Sequence, residues 1–157
     1  MTRNSWVLMA AGGSFLLLAG AFLFQSFGYA PCKLCLWQRW PHAAAIAAGV
    51  AVLFVPVAAI ALLGALSTFA TAALGIYHTG VEQTWWPGPS GCTGGGMDLG
   101  TMSGADLLSM EGPTGVVMCD EIVWSLFGLS MAGWNAVISL VLVLLWLKAF
   151  RTPASAP

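Results

Sequence analysis

Residues 41–78 read PHAAAIAAGVAVLFVPVAAIALLGALSTFATAALGIYH, and apart from His42 and His78 the run contains no acidic or basic side chain. It is too long for one passage through roughly 30 Å of hydrocarbon and the right length for two. The chain must fold back within it. Val55-Pro56-Val57 is the expected place, because proline removes a backbone donor and clashes with the preceding turn, although prolines are also tolerated inside spans. The resulting connection is very short and uncharged.

Composition extends this reading to the whole chain. Of 157 residues, 59% are hydrophobic and 7% charged, with mean hydropathy +0.85, whereas about a quarter of the residues in soluble domains carry charge. Six acids against five bases leave no field to attract nucleic acid or an anionic surface. Residues 6–27 are apolar apart from Ser14, Gln25 and Ser26, and as a helix they rise about 33 Å, enough for a first span. A cleaved signal peptide, with Arg3 as its basic start and Ala30 before the cut, is the alternative; the run exceeds the usual apolar stretch of roughly 7 to 15 residues. A last span is expected over 130–149, stopped by Lys148 and Arg151, with Trp134 and Trp146 as interfacial anchors.

These readings define an all-α integral membrane protein, a single-domain four-helix transmembrane bundle. Spans are expected over about 6–27, 41–56, 58–79 and 130–149, with a first loop over 28–40, a second over 80–129 and a tail over 150–157. Four crossings return both termini to one side, and the positive-inside rule assigns Arg3, Lys148 and Arg151 to the cytoplasm. Both polar loops then face outward. All six acids, Glu82, Asp98, Asp106, Glu111, Asp120 and Glu121, fall in one interval, while Lys33 and Arg39 lie on the outer face against the rule's trend, which suggests a local role. In the second loop, Ser103-Gly104-Ala105-Asp106 has capping-box form ahead of Leu107, Leu108 and Met110. It reads equally as a short membrane-resting amphipathic helix or as a solvated turn.

Every cysteine, Cys32, Cys35, Cys92 and Cys119, falls in an outward loop, although free cysteine is among the most readily buried residues. That placement argues for disulfide chemistry. Cys32-Lys33-Leu34-Cys35 has the Cys-x-x-Cys spacing of redox motifs. Cys92 and Cys119, 119 − 92 = 27 positions apart, would close a long loop. Two other readings stay open: a zinc site of four thiolates, and a pair of purely structural staples. Reactivity is favoured by Arg39, four residues after Cys35 and so on the same helix face if Cys35 opens the second span. There a permanent positive charge, with the helix N-terminus, would stabilise a thiolate or a developing quinone oxyanion. Alone, Arg39 would read as a snorkelling residue in an aromatic belt with Trp37 and Trp40. The glycines around Cys92, which match no phosphate-binding loop, give it the mobility that a protein partner needs. His42 is expected at the interface, Gln38 could order Arg39, and Glu82 could pair with His78 at helical spacing, although a solvated charge is the simpler reading. Met97, Met102, Met110, Met118, Trp85 and Trp86 could form an apolar landing surface or simply rest in lipid.

Together these residues resemble the disulfide bond formation protein B (DsbB) family of bacterial inner-membrane, quinone-dependent thiol oxidases. The resemblance is carried by Cys32-Lys33-Leu34-Cys35 with Arg39, by His78-Thr79 followed by Pro87-Gly88-Pro89 and Cys92, and by Cys119 with Trp124 and Phe127-Gly128-Leu129. It covers nearly the whole chain. It implies both termini in the cytoplasm, two periplasmic loops, and disulfides Cys32–Cys35 and Cys92–Cys119. It also implies a relay in which a reduced periplasmic thioredoxin-like partner (DsbA-like) attacks Cys92–Cys119, most naturally at Cys92. Exchange with Cys32/Cys35 follows, and Cys35 passes electrons to ubiquinone or menaquinone from the membrane pool beside Arg39. His78 is expected either to approach the quinone or to be a hydrogen-bonded interior histidine. A scaffold stapled by disulfides, and a thiol reductase working in the opposite direction, are the competing functions.

Overall fold

The computed structural model describes residues 2–55, 57–90, 92 and 118–153. The expected fold-back residue Pro56, the glycines flanking Cys92, the capping-box segment at 103–110 and Met97, Met102 and Met110 lie outside the described residues. Among the described residues there are four long helices: α1 (Arg3–Ser26), α2 (Lys33–Phe54), α3 (Ala58–Glu82) and α4 (Met131–Arg151). α1, α3 and α4 are long and apolar enough to cross a membrane. α2 differs in kind, since its first turns carry Lys33, Gln38, Arg39 and His42, and it starts well ahead of the span expected from residue 41 and runs through Pro41. The polar face this adds at one end of the bundle is where the cysteines sit.

α3 packs most extensively, on α4 and on α2; α1 packs on α2 and α4 and barely meets α3 across the diagonal. Small residues permit this close approach, as expected where lipid supplies no hydrophobic driving force between helices and packing must do so. Gly75 lies against Ala136. Trp146 is fully buried, its indole seated against Gly49 of α2 and Gly64 of α3, in a cluster with Val7, Val52 and Ala61. It is therefore a core residue and not the interfacial anchor expected from its position near the helix end. The bundle is apolar outside: Leu16, Leu63, Leu66, Phe69 and Leu144 are all exposed, a surface suited to lipid.

Ahead of α4 comes a hairpin that the sequence reading did not anticipate. β1 (Ser125–Leu126) pairs antiparallel with β2 (Leu129–Ser130) in the register Ser125↔Ser130 and Leu126↔Leu129. Phe127 and Gly128 turn it with φ of 51° and 78°, the two positive values that a two-residue type I′ turn requires. Ser130 then caps α4, its Oγ accepting from the Gly133 N–H at 3.1 Å.

Candidate active site

The site begins with an unusual cap. Helix N-termini leave amide donors without intrahelical partners, a need met mostly by Ser, Thr, Asp or Asn. At α2 a sulfur does it: Cys32 is the N-cap, and its Sγ accepts from the Cys35 N–H at 3.1 Å. The two sulfurs lie 2.7 Å apart as free thiols, Cys32 S–H donating to Cys35. That hydrogen bond is the main reason the Cys35 thiol is held below its ordinary value; burial opposes it, and the Arg39 charge makes only a smaller contribution. Cys32, the donor, is pushed well above the ordinary range by the same contact and by burial. Of the two thiols Cys35 is therefore the more readily deprotonated, and the neighbouring thiol does more than Arg39 to favour its thiolate.

Cys92 and Cys119 form a disulfide, with Cα atoms 5.1 Å apart and the Cys119 N–H donating to the Cys92 carbonyl at 2.5 Å. Both are 1% exposed and share one cluster with Cys32, Leu34 and Val81, against which Cys35 and Tyr77 pack. The glycines around Cys92 point to a sulfur free to meet a protein partner, yet both sulfurs of the pair are covered. The segment before Cys92 is tied down by Lys33 Nζ donating to the Ser90 carbonyl (3.4 Å), Tyr77 OH to the Pro87 carbonyl (3.0 Å) and Trp86 Nε1 to the Tyr77 carbonyl (2.8 Å).

A buried polar network connects the sulfurs to the bundle interior, and its hydrogens can be assigned from one fixed point. The Leu34 carbonyl can only accept, so the Gln38 atom 3.2 Å from it is the amide nitrogen. The same Nε2 lies 2.9 Å from His78 Nδ1, which must accept, leaving the proton on Nε2 of a neutral ring. That Nε2–H faces Cys32 Sγ at 3.5 Å and Glu82 Oε1 at 3.9 Å. Glu82 is held in turn by the Ser130 hydroxyl. On the other side, Gln38 Oε1 accepts from Asn135 Nδ2 at 2.6 Å, and Thr71 takes the second Asn135 hydrogen at 3.2 Å. Asn135 Oδ1 therefore faces His42 Nε2 at 2.8 Å and accepts from it.

Cys32, Cys35 and His78 bring their donor atoms within 4.8 Å of one another, a spread that could hold a metal ion. The tautomer set by Gln38 presents an N–H there instead of the lone pair a ligand needs, and with Cys92 and Cys119 bonded to each other the four thiolates are not jointly available.

A cavity of about 220 Å³ opens beside these groups, lined by Cys35, Arg39, His42 and His78 and walled by apolar residues such as Phe24 and Trp124. Arg39 donates through one terminal nitrogen to Gln25 Oε1 (2.8 Å) and through the other to the Ala21 carbonyl (3.5 Å), with Phe22 under its guanidinium. His42, expected at the interface, is 3% exposed. Asn135, Thr71, Ser130 and Gln25 were missed as site residues. For Asn135 a signal existed, since a side-chain amide within an otherwise apolar span rarely sits there without a partner.

A dithiol packed against a disulfide at one end of an apolar helical bundle defines a membrane protein of the disulfide oxidoreductase class. The family model described as "Disulfide bond formation protein DsbB" matches residues 2–149, and the chain belongs to that family. It is similar to "Disulfide bond formation protein B 2" of Pseudomonas aeruginosa PAO1, at 30% identity over 145 residues that cover 87% of this chain and 83% of the relative. The match to "Disulfide bond formation protein B 1" of P. aeruginosa UCBPP-PA14 has the same extent and identity. No solved structure matches the chain.

Proposed function

We propose that the protein reoxidises a periplasmic, thioredoxin-like dithiol partner (DsbA-like) and delivers the electrons to quinone in the bacterial inner membrane, with both cysteine pairs on the periplasmic side. The observation that carries this reading is that one sulfur cluster contains both pairs while Cys35 also lines the cavity. The partner's thiolate opens Cys92–Cys119, and closure of the partner's own disulfide leaves Cys92 and Cys119 as thiols. These reduce a Cys32–Cys35 disulfide by the same exchange, restoring their own bond. Free Cys32 and Cys35 beside a bonded Cys92–Cys119 correspond to the state after that transfer.

Oxidation of Cys32/Cys35 then releases two electrons and two protons. The residues fit a quinone: a ring-sized apolar cavity, a thiolate-favouring Cys35 on its wall, and the Arg39 guanidinium beside it. Quinone, when bound, supplies the two-electron sink. Cys35 holds the reactive sulfur, Arg39 offers positive charge where an oxygen gains negative charge, and His78 Nε2–H supports negative charge on Cys32 as the bond between Cys32 and Cys35 closes.

Quinol formation by the purified protein with reduced partner and quinone tests the reading. Single replacements of Cys32, Cys35, Cys92, Cys119 or Arg39 should each cut turnover, and retention of turnover by all five would end the proposal. Burial of Cys92–Cys119 favours a second reading, a staple for the loop. Under that reading, Cys92→Ser lowers thermal stability and leaves electron transfer from a small dithiol intact.

A further inference from the structure

Two residues that line the cavity each hold a buried side-chain nitrogen with no hydrogen-bond partner among the described residues: Arg39 Nε and His42 Nδ1. They sit one turn apart on α2 and are opposite in kind. Arg39 Nε carries a hydrogen and can only donate. His42 Nδ1 carries a lone pair and can only accept, because Nε2 spends its hydrogen on Asn135 Oδ1 at 2.8 Å. Burying either without a partner is costly, and both residues line the cavity of about 220 Å³, so a small side-chain shift would turn each nitrogen toward a ligand there.

Resting on the quinone reading above, we propose that this donor–acceptor pair recognises the hydroxyl of reduced quinone, with His42 making the site bind quinol more tightly than quinone. A quinone carbonyl oxygen can satisfy Arg39 Nε but has no hydrogen for His42. A quinol hydroxyl satisfies both, accepting from Arg39 and donating to His42. The hydrogen bond to His42 therefore exists only after two electrons and two protons have been taken up. Differential binding of the reduced form raises the potential of the bound couple and draws electrons from Cys32 and Cys35 toward the membrane. A tenfold preference corresponds to about 30 mV for a two-electron couple. Asn135 is the positioning residue, since its Oδ1 fixes the tautomer that leaves the His42 lone pair free.

The test is equilibrium binding of a short-chain ubiquinol and the matching ubiquinone, measured anaerobically by calorimetry in detergent on the full chain carrying Cys35→Ser, which blocks turnover. In this background quinol should bind about tenfold tighter than quinone. His42→Leu should abolish the difference by weakening quinol alone, and His42→Asn, which keeps an acceptor, should recover part of it. The mono-O-methyl ether that presents no hydroxyl to His42 should bind like quinone. Equal weakening of both forms by His42→Leu, with a lowered thermal midpoint, would reduce His42 to a packing role and overturn the inference, as would an unchanged preference. Failure of the His42-containing protein to bind either form would overturn the quinone reading itself.

Discussion

Gln38 Nε2 lies 2.9 Å from Nδ1 of His78, and this contact decides which atom of the ring faces sulfur. The orientation originates at the Leu34 carbonyl, one turn back on α2, and runs through Asn135 to His42. One backbone acceptor thus sets the hydrogens on two histidines in different helices.

Loss of this orientation should slow chemistry before it harms the fold. Gln38→Leu frees His78 to rotate or change tautomer, and the Nε2–H aimed at Cys32 is no longer fixed. Exchange between the two cysteine pairs should slow about tenfold, the worth of one hydrogen bond of about 1.4 kcal/mol. Rapid acid quench and alkylation would measure it; an unchanged rate would show that His78 is a bystander to exchange.

The cysteine pair should titrate asymmetrically. Because Cys35 is held below the ordinary thiol value, its alkylation in the reduced protein should stay fast as pH drops below that value and slow only through its own lower one. Cys32, raised, should remain a slow-reacting thiol across neutral pH. Cys32→Ala removes the S–H donor, so the alkylation midpoint of Cys35 should move upward. Mass-resolved alkylation against pH reads both sulfurs, and equal profiles would contradict the assignment.

Gly80 should control access to the second pair. A β-carbon there would run into the Trp86 indole, whose Nε1 holds the Tyr77 carbonyl and whose ring stacks on Tyr77. Gly80→Ala should displace Trp86 and loosen Pro87–Ser90, so that a water-soluble phosphine reduces Cys92–Cys119 several-fold faster than in the parent. No change in reduction rate would mean that the indole is not the cover.

Asn135 should matter more for stability than any other polar residue of α4. Asn135→Leu leaves Gln38 Oε1 and His42 Nε2 without partners in a buried setting, at about 1–3 kcal/mol for each orphan. Unfolding in detergent should show a clear drop in midpoint, and Asn135→Asp, which keeps the acceptor for His42, a smaller one.

The helices were legible because an uncharged run from Pro41 to His78 admits few folds in a membrane, and the cysteines because their spacing is chemically specific. The site's wiring was not. Gln38, Asn135 and Thr71 are far apart in the chain and acquire meaning only when α2, α3 and α4 pack. Trp146 shows the same limit: near a helix end it has the position of an anchor, and only the facing Gly64 makes room for its indole inside. Burial of Cys92 was equally invisible, since glycines signal freedom of the backbone and not what packs over a sulfur.

The sulfur that closes the first turn of α2 is also one that must change bonding partners. A divalent sulfur locked to a neighbour is a poorer acceptor than a free thiol or thiolate, so the amide of Cys35 should lose its latch on oxidation and regain it on reduction. Deuterium uptake at that single amide would then rise and fall with the redox state, making the helix terminus a built-in gauge of where the electrons are.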